Sequence, residues 1–217
     1  MNLKNILVGI EGIKAKGDIN IEINSVKNDS RKVEKGDLFI SIKGYEADGA
    51  DYIGDAIEKG AIAVLVEEGT NLKELKIKED TTLIVVPDAR KAMAQIACNY
   101  YDNPSRKFQL IGITGTKGKT TTTYMVKSML EKKGLKVGLI GTIRNYIGAE
   151  SLGDSQRTTP ESLELQEIFA KMAEAKCDVV IMEVSSQSLK LNRVYGSDFN
   201  IGIFTNLSEE HISEKEH

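Results

Sequence analysis

Apolar positions along this chain fall into two patterns. One is the short unbroken run expected of a strand buried on both faces. Residues 36–42 (GDLFISI), 61–67 (AIAVLVE) and 81–86 (TTLIVV) have this character, as do 107–114 (KFQLIGIT), 135–142 (LKVGLIGT), 178–184 (DVVIMEV) and 199–207 (FNIGIFTNL). The other repeats every three to four residues, as on one face of a helix. It covers 47–60, closed by Gly60, and 88–101, where Asp88 is placed to cap. It returns in 119–134, ending at Gly134, and in 160–176, where Leu165, Ile168, Phe169 and Met172 share a face. Thr159 is placed to cap that last helix, with Pro160 at its first position. Alternating strands and helices predict an α/β fold. The turn cluster DNPS at 102–105 divides it into a small mixed α/β domain (1–105) and a doubly wound parallel-sheet domain (106–217). In such sheets ligands bind beyond the carboxyl ends of the strands. Here those ends are Thr114, Glu183 to Ser185, and Thr205 to Asn206.

Composition narrows the partners. Hydrophobic residues are 41% and charged residues 28% of the 217, as in an ordinary globular protein, and the net charge is −3. That balance offers no electrostatic footprint for nucleic acid or an anionic membrane. No run is long enough to span a bilayer, and the start does not read as a signal peptide. A cytoplasmic monomer acting on small molecules is expected. Cys98 and Cys177 both fall in apolar helical patterns and read as buried free thiols.

The candidate chemistry begins at 112–126, GITGTKGKTTTTYMV. A glycine-rich turn between strand and helix aims backbone N–H groups at an anion. A lysine adds charge for the outer phosphates, and the next hydroxyl can hold Mg²⁺. Gly118, Lys119 and Thr120 fit. The strict phosphate-loop spacing would need glycine at 113, where Ile113 stands. Gly115, Thr116, Lys117, Gly118, Lys119, Thr120 and Thr121 are therefore candidate contacts for ATP or GTP. Glu183 ends an otherwise apolar strand. A carboxylate there is costly unless it is paired or binds metal, and a phosphate-bound Mg²⁺ nearby favours metal.

The variant loop TGTKGKTTT resembles that of the Mur ligase family, and three further segments carry the same resemblance. The segment 28–68, which opens with NDSRKVEKGDLF, resembles the family's uridine-nucleotide domain. It implicates Ser30 and, more weakly, the loop Tyr45 to Gly49. RTTPESLELQ (157–166) and MEVSSQSLKLNRV (182–194) resemble members that add the third residue of the peptidoglycan stem peptide. They imply substrate contacts at Thr158, Thr159, Ser185 and Arg193. TNLSEEHISEKEH resembles the family's T-N-L-x-x-D-H-x-D segment, with Glu210 and Ser213 in place of aspartates. It implies that His211 joins Glu183 at a second Mg²⁺, with Lys119 on the γ-phosphate and Thr120 on the first Mg²⁺.

The resemblance implies ATP-dependent ligation. A lysine or meso-diaminopimelate would be joined to UDP-N-acetylmuramoyl-L-alanyl-D-glutamate through an acyl phosphate. It also implies an incomplete central domain, no C-terminal domain, and therefore an inactive fragment. Two alternatives stay open. One is another ATP-loop ligase such as a folylpolyglutamate synthase, which should lack the DSR…GDLF segment. The other is a non-catalytic paralogue that only binds the uridine nucleotide.

Overall fold

The computed structural model describes residues 1–44, 48–71 and 77–209. These form two compact units, Met1–Tyr100 and the chain from Tyr101 onward.

The first unit runs α1 (Leu3–Ile6), β1 (Lys14–Lys16), β2 (Val26–Lys27), β3 (Leu38–Ile40), α2 (Ile53–Glu58), β4 (Ala63–Glu67), β5 (Thr82–Val86) and α3 (Ala89–Tyr100). The sheet order is β1-β5-β4-β3-β2, parallel except for β1 against β5. One face packs Phe39, Val64, Val66 and Leu83 under Ile53, Ala56 and Ile57 of α2. Burying both faces is what unbroken apolar runs demand. Asp88 caps α3 as expected, its Oδ1 accepting from Lys91 N–H at 2.8 Å. A second acceptor was not foreseen: Glu67 Oε2 takes the Ala89 N–H at 2.9 Å. Lys59 Nζ donates to the carbonyl of Ser30 at 2.9 Å, which ties α2 to the short 3₁₀ turn Ser30–Lys32.

The second unit runs β6 (Gln109–Thr114), α4 (Lys119–Lys132), β7 (Val137–Ile140), β8 (Arg144–Ile147), β9 (Glu150–Asp154), α5 (Ser162–Glu174), β10 (Val179–Glu183), α6 (Ser186–Lys190) and β11 (Ile201–Phe204). Its order is β11-β6-β10-β7-β8-β9. The first four strands are parallel, and β8 and β9 form an antiparallel hairpin on one edge. Side chains alternate between the two faces. Leu110, Val180 and Met182 meet Leu165, Ile168, Phe169 and Met172 of α5. Ile111, Ile113, Val179 and Ile181 meet Val126 and Leu130 of α4. Cys98 and Cys177 are both buried and outside any disulfide, and burial pushes the Cys177 thiol up from its ordinary pKa.

Three expectations change. Strand β11 is not buried: Ile201 is 49% and Phe204 64% exposed, because among the described residues β11 is the sheet's edge and pairs only with β6. The β8–β9 hairpin was not foreseen. Thr159 does not cap α5, whose N-cap is Glu161 with no side-chain hydrogen bond. The Thr159 hydroxyl is used across the fold instead. Among the described residues no helix is long and apolar enough to cross a membrane.

Candidate functional site

The site of the second unit gathers at the carboxyl ends of β6, β7, β10 and β11. Strand β6 ends at Thr114, and the turn to α4 passes through two glycines with positive φ: Gly115 at 135° and Gly118 at 84°. Gly118 is the N-cap of α4 and offers no side chain to the first turn. The N–H groups there have no intrahelical partners and face outward with the positive end of the helix dipole. Lys119 folds back over the loop, its Nζ donating to Gly115 O at 2.6 Å and to Thr116 O at 3.2 Å. The Thr123 hydroxyl, wholly buried, donates to Lys119 O at 2.7 Å and fixes the first turn.

Glu183 is the centre of the arrangement. It is fully buried at the end of β10. Its Oε2 accepts from the Thr120 hydroxyl at 2.9 Å and from the Thr142 hydroxyl at 3.0 Å, and its Oε1 accepts from Thr142 N–H at 3.0 Å. Among the described residues no ion pair reaches it. A buried acid with only neutral donors is solvated but short of positive charge. One carboxylate with two hydroxyls is the hard-oxygen donor set that suits Mg²⁺, so the residues present fit that ion. Among the described residues no group of three or more His, Cys, Asp or Glu side chains is clustered for a metal. His211 lies outside the described residues.

Thr142 was missed by the sequence reading, although it stands at the end of a parallel strand like the residues that were singled out. Its hydroxyl also lies 3.1 Å from that of Thr158. Gly141 beside it leaves room for the acid, since a Cβ there would strike Glu183 Oε1.

Thr158 and Thr159 sit in the turn before α5. The Thr159 hydroxyl donates to Glu183 O at 2.9 Å and accepts from Ser185 N–H at 3.1 Å, locking this turn to the end of β10. Ser185 caps the short α6, its Oγ accepting from Ser188 N–H at 3.2 Å. Arg193 is only 7% exposed. Its Nη2 pairs with Glu161 Oε1 at 2.9 Å and its Nη1 donates to Thr159 O at 3.3 Å, while Nε is buried with no hydrogen-bond partner among the described residues. Glu161 is a second residue the sequence did not reveal. Loop residues Gly115 to Thr121, the Thr158–Thr159 turn, Glu183, Ser185 and Arg193 thus all belong to one constellation.

Ser30 belongs to the first unit. It is buried within the 3₁₀ turn, which Asp29 caps by accepting from Arg31 N–H at 3.0 Å. The Arg31 guanidinium grips the same carboxylate and holds the Asp29 pKa below its ordinary value. In the loop Tyr45 to Gly49, the first three residues lie outside the described part. Asp48 caps the following turn through Ala50 N–H at 3.0 Å.

Two family models match the chain: "Mur ligase family, catalytic domain" over residues 22–101 and "Mur ligase middle domain" over residues 113–216. Among curated relatives, the UDP-N-acetylmuramoyl-L-alanyl-D-glutamate–2,6-diaminopimelate ligase 1 of Clostridium acetobutylicum is 53% identical over 212 residues, 98% of this chain. The corresponding ligase of Clostridium perfringens is 48% identical over the same share. The chain spans 43% of the length of each of these relatives. Among solved structures, a UDP-N-acetylmuramoyl-L-alanyl-D-glutamate–2,6-diaminopimelate ligase superposes on 99% of the chain with a TM-score of 0.77 at 24% identity. This chain covers 42% of that structure. A MurF ligase of Thermotoga maritima in complex with ADP superposes on 88% with a TM-score of 0.56 at 19% identity, and 39% of it is covered. At these identities the two structures speak for the fold.

Proposed function

The chain belongs to the Mur ligase family, and from that premise we propose that it carries the uridine-nucleotide and ATP sites of an ATP-dependent amide ligase. The ligase would join 2,6-diaminopimelate to the D-glutamate carboxylate of UDP-N-acetylmuramoyl-L-alanyl-D-glutamate. The observation that carries the reading is the Thr120–Glu183–Thr142 cluster beside a glycine-capped helix N-terminus. The likeness to diaminopimelate ligases over 98% of the chain supports the choice of substrate.

Phosphoryl transfer depends mostly on positioning and charge stabilisation. Lys119 would leave the Gly115 and Thr116 carbonyls and bring its ammonium to the γ-phosphate oxygens. The N–H groups of Gly118 to Thr120 would cradle the inner phosphates. Thr120 would hold a first Mg²⁺ and Glu183, hydrogen-bonded to it, a second, with His211 proposed to complete the second ion's ligation. Bound there, Mg²⁺ supplies positive charge against the repulsion between ATP and the attacking carboxylate. Ser30 would hold the uridine nucleotide. Thr158, Thr159, Ser185 and Arg193 would hold the peptide end of the substrate. The D-glutamate carboxylate would attack the γ-phosphorus and expel ADP, giving an acyl phosphate, and the amine of the incoming amino acid would then displace inorganic phosphate from it, losing a proton as the amide forms.

Titration with ATP, with and without Mg²⁺, tests the nucleotide half of this reading. Binding strengthened by Mg²⁺ is expected, and equal binding under both conditions would count against the Thr120–Glu183 assignment. The Gly141→Ala chain should lose most of that Mg²⁺ dependence, because the new methyl displaces the Glu183 carboxylate. Its overpacking should cost about 1–3 kcal/mol of stability. A Gly141→Ala chain with undiminished Mg²⁺ dependence would count against Glu183 as the ion's ligand.

A further inference from the structure

The phosphate loop is braced from one side by residues to which the proposed chemistry gives no part. Directly after β11, Thr205 N–H donates to Thr114 O at 2.9 Å, and Asn206 O accepts from Thr116 N–H at 3.0 Å. The Asn206 carboxamide then engages Lys117 twice. Its Oδ1 accepts the Lys117 N–H at 3.0 Å and its Nδ2 donates to Lys117 O at 2.9 Å. A carboxamide has one acceptor and one donor side, so it can satisfy both backbone groups of one residue as a neighbouring strand would. The Thr205 hydroxyl adds a bond to Lys117 O at 2.7 Å, and Ser208 N–H donates to the Thr116 hydroxyl at 3.0 Å.

The direction of these bonds matters. The N–H groups of Thr116 and Lys117 are spent sideways, on Asn206. The loop's outward donors therefore begin at Gly118, where the chain turns left-handed into α4. Gly115 fits the same scheme: a Cβ there would strike the Thr205 hydroxyl, so this glycine lets the 205–206 segment lie against the loop. Asn206 itself is exposed, so its role is not apolar packing.

We infer that Asn206 is a positioning residue of the nucleotide site. Its carboxamide fixes the Lys117 peptide, and through it the aim of the N–H groups from Gly118 to Thr120. The inference deepens the proposed nucleotide site and rests on it.

The test compares wild type with Asn206→Ala by amide hydrogen exchange and by titration with Mg·ADP and with tripolyphosphate. Exchange of the Lys117 N–H should speed up, while the Thr116 N–H, held by the Asn206 backbone carbonyl, stays protected. Both ligands should bind about tenfold more weakly, because the defect lies in aiming donors at phosphate. Affinities unchanged despite a deprotected Lys117 would overturn the inference. So would a loss confined to Mg·ADP, which would mean that Asn206 touches the nucleoside. If wild type binds neither ligand, the nucleotide reading itself fails and the inference goes with it. Should the alanine chain not fold, Asn206→Gln keeps the carboxamide but displaces it by a methylene, and is read in the same way.

Discussion

Lys119→Ala is expected to weaken Mg·ATP binding by about 10- to 100-fold, the loss that comes from deleting hydrogen bonds to a charged group worth about 1.5–3 kcal/mol. Lys119 is the cation at the head of α4, and its ammonium rests on two loop carbonyls, Gly115 O and Thr116 O. Those carbonyls sit in a half-exposed loop, so water can replace the ammonium and the fold should tolerate the change. Binding of the uridine substrate alone should stay near wild type. A Lys119→Ala chain that binds Mg·ATP normally would mean that the ammonium stays on the loop carbonyls when nucleotide is present, and that Lys119 is structural.

The largest effect on stability should come from Phe169→Ala. Phe169 is fully buried where α5 meets the sheet, and its ring meets Phe108 edge-on with centroids 5.5 Å apart. Removing it forfeits the transfer energy of the ring and leaves a cavity among Leu110, Val180 and Met182. The cost is about 3–5 kcal/mol, a large share of the roughly 5–15 kcal/mol that holds a domain together. Urea unfolding followed by far-UV circular dichroism reads it. The transition of the second unit should move to lower urea, and that of the first unit should stay in place. A shift below about 1 kcal/mol would mean that α5 is not seated on the sheet as described.

How much of the fold is legible in the sequence depends on how local each signal is. The runs at 109–114 and 179–183 are buried on both faces and announce themselves. The run that forms β11 has the same apolar character yet lies exposed. Apolarity alone does not separate a central strand from an edge strand, because that depends on what pairs alongside. The β8–β9 hairpin mixes charged and apolar residues around Gly148, and neither period shows. Glu183 and the glycine loop were legible because a buried acid and a glycine-lysine turn are unusual in themselves. Thr142 and Glu161 were not, and Asn206 was legible only as the end of a strand, not for the bonds it makes. Each is an ordinary polar residue until the fold brings it against Glu183, Arg193 or Lys117. Thr159 shows the reverse: its local signal as a cap was real, but a hydroxyl placed between Glu183 O and Ser185 N–H is worth more to the tertiary structure.

Calorimetric titration of the chain with UDP-N-acetylmuramoyl-L-alanyl-D-glutamate tests the assignment most directly. Saturable binding, weakened by Ser30→Ala in one unit and by Thr158→Ala in the other, is the predicted result. Mg·ATP binding with no measurable uptake of the uridine compound would contradict the account, and would leave a nucleotide-binding loop whose acceptor substrate is something else.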